Sequence, residues 1–567
     1  MLHELLGLAL ILALTFGAAW LLGRYLVKVY QGMPVWTDFL APLERLLYRL
    51  TGVRPEQQMN WKQAVSALLL TNAVWLAYAW LALCLQDRIP LMNPDHIPGM
   101  TWHQGFNTAV SFVTNTNLQH YSGETGASYF SQIFVLQFLQ FVSAASGIAA
   151  LIMILNGLRE AQTRSLGNFY AYFVRSVTRV LLPLSIAAAL LLLIGGTPMT
   201  FAGAAESYTL EGDTIRIARG PVAGMVAVKQ LGTNGGGYFG PNSTHPFENP
   251  SYFTNVVENV SILLIPIALV FAMGGLLRQP GFSRVVMAVM TGIFTVFLGL
   301  TVWAELSGSP WIADAGISQP SGSLEGKEMR FGAAASALWG VSTTATSNGS
   351  VNAMHDSLTP LSGGILMLDM MINALYGGVG VGLINMLVFV IIAVFLSGLM
   401  VGRSPEFFEK KLESREIRIA ALVMLLHPFL ILGGTALACW IYLTQGGNEA
   451  LAWLNNPGFH GFSEILYEFT SASANNGSGF EGLGDNTPFW NVSTGLVMLL
   501  GRYVPVIGPL AIAGMLAGKR ISPPSPGAFR TDTAVFGIIL TSVILIVAAL
   551  SFFPALALGP VAEFLTR

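Results

Sequence analysis

The sequence predicts an all-α polytopic membrane protein. About ten transmembrane helices form four fused helix–pore-loop–helix repeats around a pseudo-four-fold axis, with one extra helix at each end. Three observations predict this. Of 567 residues, 53% are hydrophobic and only 10% are charged, against roughly a quarter charged in a soluble protein. Apolar runs long enough to cross a bilayer recur along the whole chain. Between them, four short runs of Asn, Gly, Thr, Ser and Ala recur at nearly equal intervals.

A spanning helix takes about 20 apolar residues. Ten candidates begin near residues 5, 63, 128, 170, 253, 284, 364, 417, 487 and 532. The first run, Leu5 to Leu22, lacks a basic start and is followed by Arg24 and Lys28. It therefore reads as a retained membrane helix rather than a signal peptide. Positive charge assigns the faces. The connections holding Arg45 and Arg49, Arg159 and Arg164, Arg278 and Arg284, Arg403 and Lys410, and Lys519 and Arg520 read as cytoplasmic. The longer connections carry Asp87, Asp95, Glu124, Glu206, Asp314 and Glu325 and read as external. An even number of spans then places both termini outside. No basic tract suggests nucleic acid. Cys84 and Cys439 lie in apolar runs and read as small hydrophobes. No Cys/His cluster has metal-site spacing, and no connection is long enough for a separate catalytic domain.

Each external connection contains a weakly apolar stretch too short to span, at about 102–114, 220–232, 331–345 and 462–473. Each stretch leads into a polar run. The four runs are Thr114-Asn115-Thr116-Asn117, Gly232-Thr233-Asn234-Gly235-Gly236-Gly237, Thr346-Ser347-Asn348-Gly349-Ser350 and Ser473-Ala474-Asn475-Asn476-Gly477-Ser478-Gly479. With Asn115, Asn234, Asn348 and Asn476 as markers, the steps are 119, 114 and 128 residues. Thr116, Asn234, Asn348 and Asn476 are taken as the central positions. The repeat boundaries drawn on this pattern are 61–160, 165–280, 281–405 and 410–522, flanked by an N-terminal helix and linker (1–60) and a C-terminal helix (528–567).

Irregular backbone at membrane depth survives only where it is buried in protein or lines water. Four such loops on one axis would line a pore, and their bare carbonyls can replace the hydration shell of a cation. Glycine permits the left-handed angles that turn successive carbonyls inward. The short helices would aim their negative C-terminal ends at the ion. No carboxylate lies inside any run, which suits a monovalent cation held by neutral oxygens better than a divalent one. Plain turns, or glycosylation at Asn348-Gly349-Ser350 and Asn476-Gly477-Ser478, would explain one run but not four in register. No phosphate-binding loop is present. Gly378-Val379-Gly380-Val381-Gly382 lies in a spanning segment with no preceding strand, which excludes a dinucleotide fingerprint.

The second run with His245-Pro246-Phe247-Glu248-Asn249-Pro250, the string Thr343 to Asp356 through Thr346-Ser347-Asn348-Gly349-Ser350, and the closing Phe553-Pro554-Ala555-Leu556-Ala557-Leu558-Gly559-Pro560-Val561 resemble the potassium-binding subunit of the bacterial Kdp potassium-transporting ATPase over essentially the whole chain. The resemblance, and not the residues alone, turns a monovalent cation into potassium. It implies a four-loop selectivity filter at the runs named above, from Asn115, Thr116 and Asn117 to Ala474, Asn475, Asn476 and Gly477. It further implies a separate P-type ATPase subunit, two smaller membrane subunits, a tunnel carrying potassium sideways to the ATPase, and a place in the bacterial inner membrane. No organic cofactor is implied, and this chain has no DKTG phosphorylation motif.

Below the runs, the glycines from Gly377 to Gly382, with Gly378 and Gly380 among them, would break the second helix of the third repeat. The break either packs helices closely or blocks straight passage. Arg502, in the last repeat, is a costly midmembrane charge. It either repels an ion heading straight down, as the resemblance supports, or caps carbonyls or an acid. Asp369 either pairs with Arg502 or faces the tunnel, and Asn373 stands where some relatives carry a glutamate. Gln119 lies at the outer mouth, where it shapes affinity or binds loop backbone. His120, His245 and His355 follow runs of different repeats and read as hydrogen-bonding the loop backbone. An autonomous potassium channel or symporter of the same architecture is the second reading. A membrane enzyme is the third, and it lacks any HExxH or GxSxG motif.

Overall fold

The computed structural model describes residues 2–400, 402, 405–444, 453–521 and 530–566. Arg403 and the boundaries at 522 and 528 lie outside the described residues. The chain begins with α1 (Leu2–Gln31), a short amphipathic α2 (Ala41–Thr51), α3 (Trp61–Cys84), α4 (Trp102–Val113), α5 (Ser131–Arg159) and α6 (Phe169–Ile194). An exposed hairpin of β1 (Ala205–Tyr208) and β2 (Thr214–Ile217) follows, with Ala205 opposite Ile217. Next come α7 (Val222–Leu231), α8 (Tyr252–Leu277), α9 (Pro280–Ser307), α10 (Gly332–Ala345), α11 (Pro360–Ile372) and α12 (Val381–Met400). The last four are α13 (Ser414–Thr444), α14 (Phe459–Ala474), α15 (Pro488–Ala517) and α16 (Ala534–Leu556, running on as one span to Thr566). Among the described residues, ten helices are long and apolar enough to cross a membrane. This is a multi-pass membrane protein of four helix–pore-loop–helix repeats, with α1 and α16 as the extra helices.

Local sequence sets where the spans begin. Asn60 accepts from the amides of Lys62 and Gln63, and Gln63 returns a bond to the Asn60 amide, a reciprocal cap for otherwise orphaned donors. Ser251 and Thr254 cap α8 in the same way. Thr487 before Pro488 starts α15, and Thr533 starts α16.

Burial separates an inner ring from an outer one. The most apolar window of each repeat's second helix is 89% buried in α5, 78% in α8 and 67% in both α12 and α15. The first helices α3, α6, α9 and α13 reach only 28–50%, so their leucines and aromatics meet lipid. The four short helices α4, α7, α10 and α14 lie inside this ring; α7, α10 and α14 are buried along most of their length and α4 from Asn107 onward.

The seventh run is broken at its glycines, as expected, but its membrane-length helix starts at Val381 and not near residue 364. The helix stops at Ile372, and a new one starts at Val381. Between them, Asn373, Tyr376, Gly377 and Gly380 all have positive φ, a conformation that no right-handed helix accommodates. Cys84 and Cys439 are free thiols.

Candidate functional site

The four polar runs adopt one shared conformation. In each, a backbone amide reaches back five residues at 2.9 Å: Thr116 to the Ser111 carbonyl, Asn234 to Lys229, Asn348 to Thr343 and Asn476 to Ser471. The residue before each is left-handed (Asn115 φ 64°, Thr233 48°, Ser347 46°, Asn475 52°). The residue after each is left-handed too (Asn117 56°, Gly235 80°, Gly349 89°, Gly477 103°). Non-glycine residues seldom adopt this region, so its fourfold recurrence is a built feature. The bonds align Thr116, Asn234, Asn348 and Asn476 as equivalent. The Asn115 marker therefore lies one residue early, because repeat 1 has asparagine on both sides of the central position and threonine at it.

The loops close into a ring in chain order. A β-carbon on Gly235 would collide with the carbonyl oxygen of Asn348, one on Gly349 with that of Asn476, and one on Gly477 with that of Thr116. All four central residues are buried. Among the described residues, none of the Thr116, Asn234, Asn348 or Asn476 carbonyl oxygens accepts a hydrogen bond. Buried carbonyls are normally paired. Each belongs to a loop at the C-terminal end of a short helix, where backbone dipoles add negative potential.

Side chains lock the ring from behind. The Asn115 amide donates to the Gly232 and Thr233 carbonyls, at 3.2 and 2.7 Å, and its oxygen accepts from Asn234 and Ser143. Asn476 donates to the Thr343 carbonyl at 2.8 Å, and Asn475 to Thr116 Oγ1 at 2.8 Å. The Thr343 and Ser471 hydroxyls accept from the Gly349 and Gly477 amides. Repeat 2 departs from this plan in having Lys229 at their position. Its fully buried ammonium pairs with Glu248 and donates to Asn242 Oδ1 and Ser243 Oγ, both at 2.7 Å. Asn242 in turn donates to the Gly235 carbonyl at 2.6 Å. Lys229 and Glu248 were not among the expected site residues, although a lysine in a short apolar helix was itself a signal.

Beneath the ring lies the break between α11 and α12. The Val379 amide donates to Thr233 Oγ1 at 2.9 Å, and the Gly377 amide to the Ala345 carbonyl at 2.7 Å. Gly378 faces Arg502, Ser347 and Thr233, and Gly380 packs on the Gly147 carbonyl. Arg502 is buried, and its Nη2 lies 3.4 Å from the Ser143 carbonyl. Of the two readings of Asp369, the pairing with Arg502 does not occur among the described residues. Asp369 instead accepts from Thr344 Oγ1 at 2.8 Å, within its own repeat. Asn373 caps α11 in the left-handed region and accepts from Ser347 Oγ at 3.2 Å. It also lines a cavity of about 50 Å³ with Asn385, His427 and Ser473.

At the mouth, the Gln119 side chain pairs with both backbone groups of Gly237, at 2.8 and 3.1 Å, bridging the first and second loops. His245 accepts from the Phe247 amide. The other two histidines do not bond loop backbone as expected, because tertiary packing brings polar side chains of the fourth repeat against them. His355 meets Tyr467 at 2.9 Å. His120 lies 2.9 Å from Asn491 Oδ1, 3.1 Å from Glu468 Oε1 and 3.8 Å from Asp485. Burial alone would lower the His120 pKa, but Asp485 and then Glu468 outweigh it and raise the pKa to about 9.

A family model described as the potassium-transporting ATPase A subunit matches residues 9–565. The chain is 54% identical to a potassium-transporting ATPase potassium-binding subunit of Flavobacterium johnsoniae, with 99% of each chain covered. It is 52% identical to one of Phocaeicola vulgatus, again over 99% of each, and 48% identical to one of Geobacillus kaustophilus over 96% of each. Its fold is similar to that of the potassium transporter TrkH from Vibrio parahaemolyticus, with TM-score 0.50 at 16% identity, covering 88% of this chain and 96% of that one. With a family match spanning every residue that builds the ring and the break beneath it, the chain belongs to the family of potassium-transporting ATPase A subunits.

Proposed function

We propose that the four loops form a potassium selectivity filter and that this chain is the ion-capturing subunit of an ATP-driven uptake system. One observation carries the reading: four equivalent, buried carbonyl oxygens accept no hydrogen bond among the described residues and sit in a ring whose neighbouring loops interlock. Neutral oxygens so placed can replace the hydration shell of a monovalent cation. The filter residues are Asn115–Asn117, Gly232–Gly235, Thr346–Gly349 and Ala474–Gly477, with Gln119 holding the mouth. The repeats run 61–160, 165–280, 281–405 and 410–522.

The docked break and Arg502 oppose straight passage. The cavity beside Asn373 offers an exit to one side, toward a separate P-type ATPase subunit that hydrolyses ATP. Family membership supports this division, two smaller membrane subunits and an inner-membrane setting, and the charge distribution supports both termini being external. No organic cofactor enters the scheme. An autonomous potassium channel or symporter is the competing reading, supported by the fold shared with a potassium transporter.

The test is potassium-stimulated ATP hydrolysis by this chain purified with the membrane proteins that co-isolate, for the wild type and Gly235→Asp. Stimulation whose potassium requirement rises or vanishes in the variant supports the proposal. A chain with no ATPase partner that conducts potassium in liposomes overturns it in favour of the channel.

A further inference from the structure

At the mouth side of the fourth repeat, three distant segments converge on one imidazole. His460 Nε2 lies 2.9 Å from Asp356 Oδ1, and its Nδ1 lies 3.0 and 3.1 Å from the two carboxylate oxygens of Glu563. One helical turn along α14, Glu464 is on the same face. It is fully buried, and its Oε2 has no hydrogen-bond partner among the described residues. Its other oxygen accepts from Asn456 Nδ2 at 3.0 Å, and the same amide reaches Asp356 Oδ2 at 3.4 Å. One donor atom each of Asp356, His460 and Glu464 lies within 4.8 Å of the others.

The geometry points to a divalent transition-metal site of the zinc class, with His460 Nε2, Asp356 and Glu464 as ligands. A buried carboxyl oxygen without a partner is strongly disfavoured, and this one lies beside the imidazole and the Asp356 carboxylate. The donor set is one nitrogen and two carboxylate oxygens, which suits zinc and leaves a fourth position for water. Potassium would not select the imidazole. In a tetrahedron with bonds of roughly 2.1 Å, ligand atoms lie about 3.4 Å apart, so a metal would part His460 Nε2 and Asp356 Oδ1 from their present 2.9 Å and draw the Glu464 oxygen in from within 4.8 Å.

The orienting groups are also in place. Glu563 faces Nδ1 and would fix Nε2 as the coordinating nitrogen, the usual carboxylate–histidine–metal relay. Phe480 stacks on the ring at an interplanar angle of 12°. A cleft of about 590 Å³, lined by Asp314, Glu325, Asp356, Asn456 and His460, provides an acidic entry path. A bound metal would tie together the turn after the third loop and α14, with Glu563 of α16 clamped behind them.

The experiment uses the full chain in its purified complex, stripped with chelator and titrated with zinc alone, with metal content and affinity as readouts. The expected result is one zinc per chain, lost in His460→Ala, weakened at least tenfold in Glu464→Gln, and weakened about 10- to 100-fold in Glu563→Gln. Calcium or magnesium should not compete at equal concentration. Zinc-edge X-ray absorption of the wild type, which needs no variant, should show one imidazole among oxygen ligands. No zinc bound by the wild type, equal binding by Glu464→Gln, or a shell of several imidazoles would each overturn the proposal.

Discussion

The backbone amide of Val379 donates to the hydroxyl of Thr233 at 2.9 Å. Through this bond the broken helix of the third repeat hangs from the loop of the second. Thr233→Val keeps the shape and removes the acceptor. A buried N–H left unpaired costs about 1–3 kcal/mol, so the thermal midpoint of the detergent-purified protein should fall, while Thr233→Ser should match the wild type. Equal melting of Thr233→Val and wild type would show that the tether is dispensable.

Gly235, Gly349 and Gly477 are constrained twice. Their left-handed backbone costs a β-carbon about 1–2 kcal/mol, and that carbon would strike the next loop's carbonyl. Each alanine variant should raise the potassium needed for half-maximal ATPase stimulation of the complex by about tenfold or more. Asn117→Gly, at the matching position of repeat 1, should preserve the ring's backbone. Alanine variants with unaltered potassium dependence would argue against these carbonyls as the ion's ligands.

Arg502 lies under the ring beside Gly378. A unit charge at 4 Å in an effective dielectric near 20 contributes about 4 kcal/mol, and a third of that changes a rate about tenfold. Arg502→Gln should therefore raise passive potassium flux in proteoliposomes by at least about tenfold, and Arg502→Lys should not. Flux at the wild-type level in the glutamine variant would remove the electrostatic barrier from the scheme.

Lys229 and Glu248 are both fully buried. Removing one partner of such a pair costs about 3–5 kcal/mol, because the other charge is left unpaired. Lys229→Met should thus be strongly destabilised in denaturant or thermal unfolding. Lys229→Met combined with Glu248→Gln should recover part of the loss. Additive losses in the double variant would mean that the pair is not the main contribution of these residues.

The His120 pKa is raised to about 9 by Asp485 and Glu468 against the opposing effect of burial. A histidine whose folded pKa exceeds its unfolded value, about 6.5, stabilises the fold fully below pH 6.5 and loses that contribution as pH rises through 9. The thermal midpoint should decline between pH 6.5 and 9.5 in the wild type and flatten over that range in His120→Gln. Identical pH profiles would place the titration elsewhere.

Much of the architecture was legible in the residues. Apolar length marked nine of the ten spans near their observed starts, because the bilayer demands a minimum run whatever the packing. The short helices before the polar runs were visible for the same reason: they are apolar, yet too short to span. The break at Asn373 to Gly380 was foreshadowed by its glycines. Where the helix would restart was not, since left-handed angles at Asn373 and Tyr376 are set by docking onto Thr233 and Ala345.

What the sequence by itself determined is the set of membrane elements, their fourfold recurrence and the neutral chemistry of the four runs. Length, periodicity and residue type act locally and need no partner. Only the tertiary structure gave Asp369 to Thr344 instead of Arg502. It also buried Lys229 against Glu248 and gathered Asp356, His460, Glu464 and Glu563 from three parts of the chain. The physical reason is that a buried polar group must find whatever partner packing brings within about 3 Å, and no spacing along the chain specifies which one arrives.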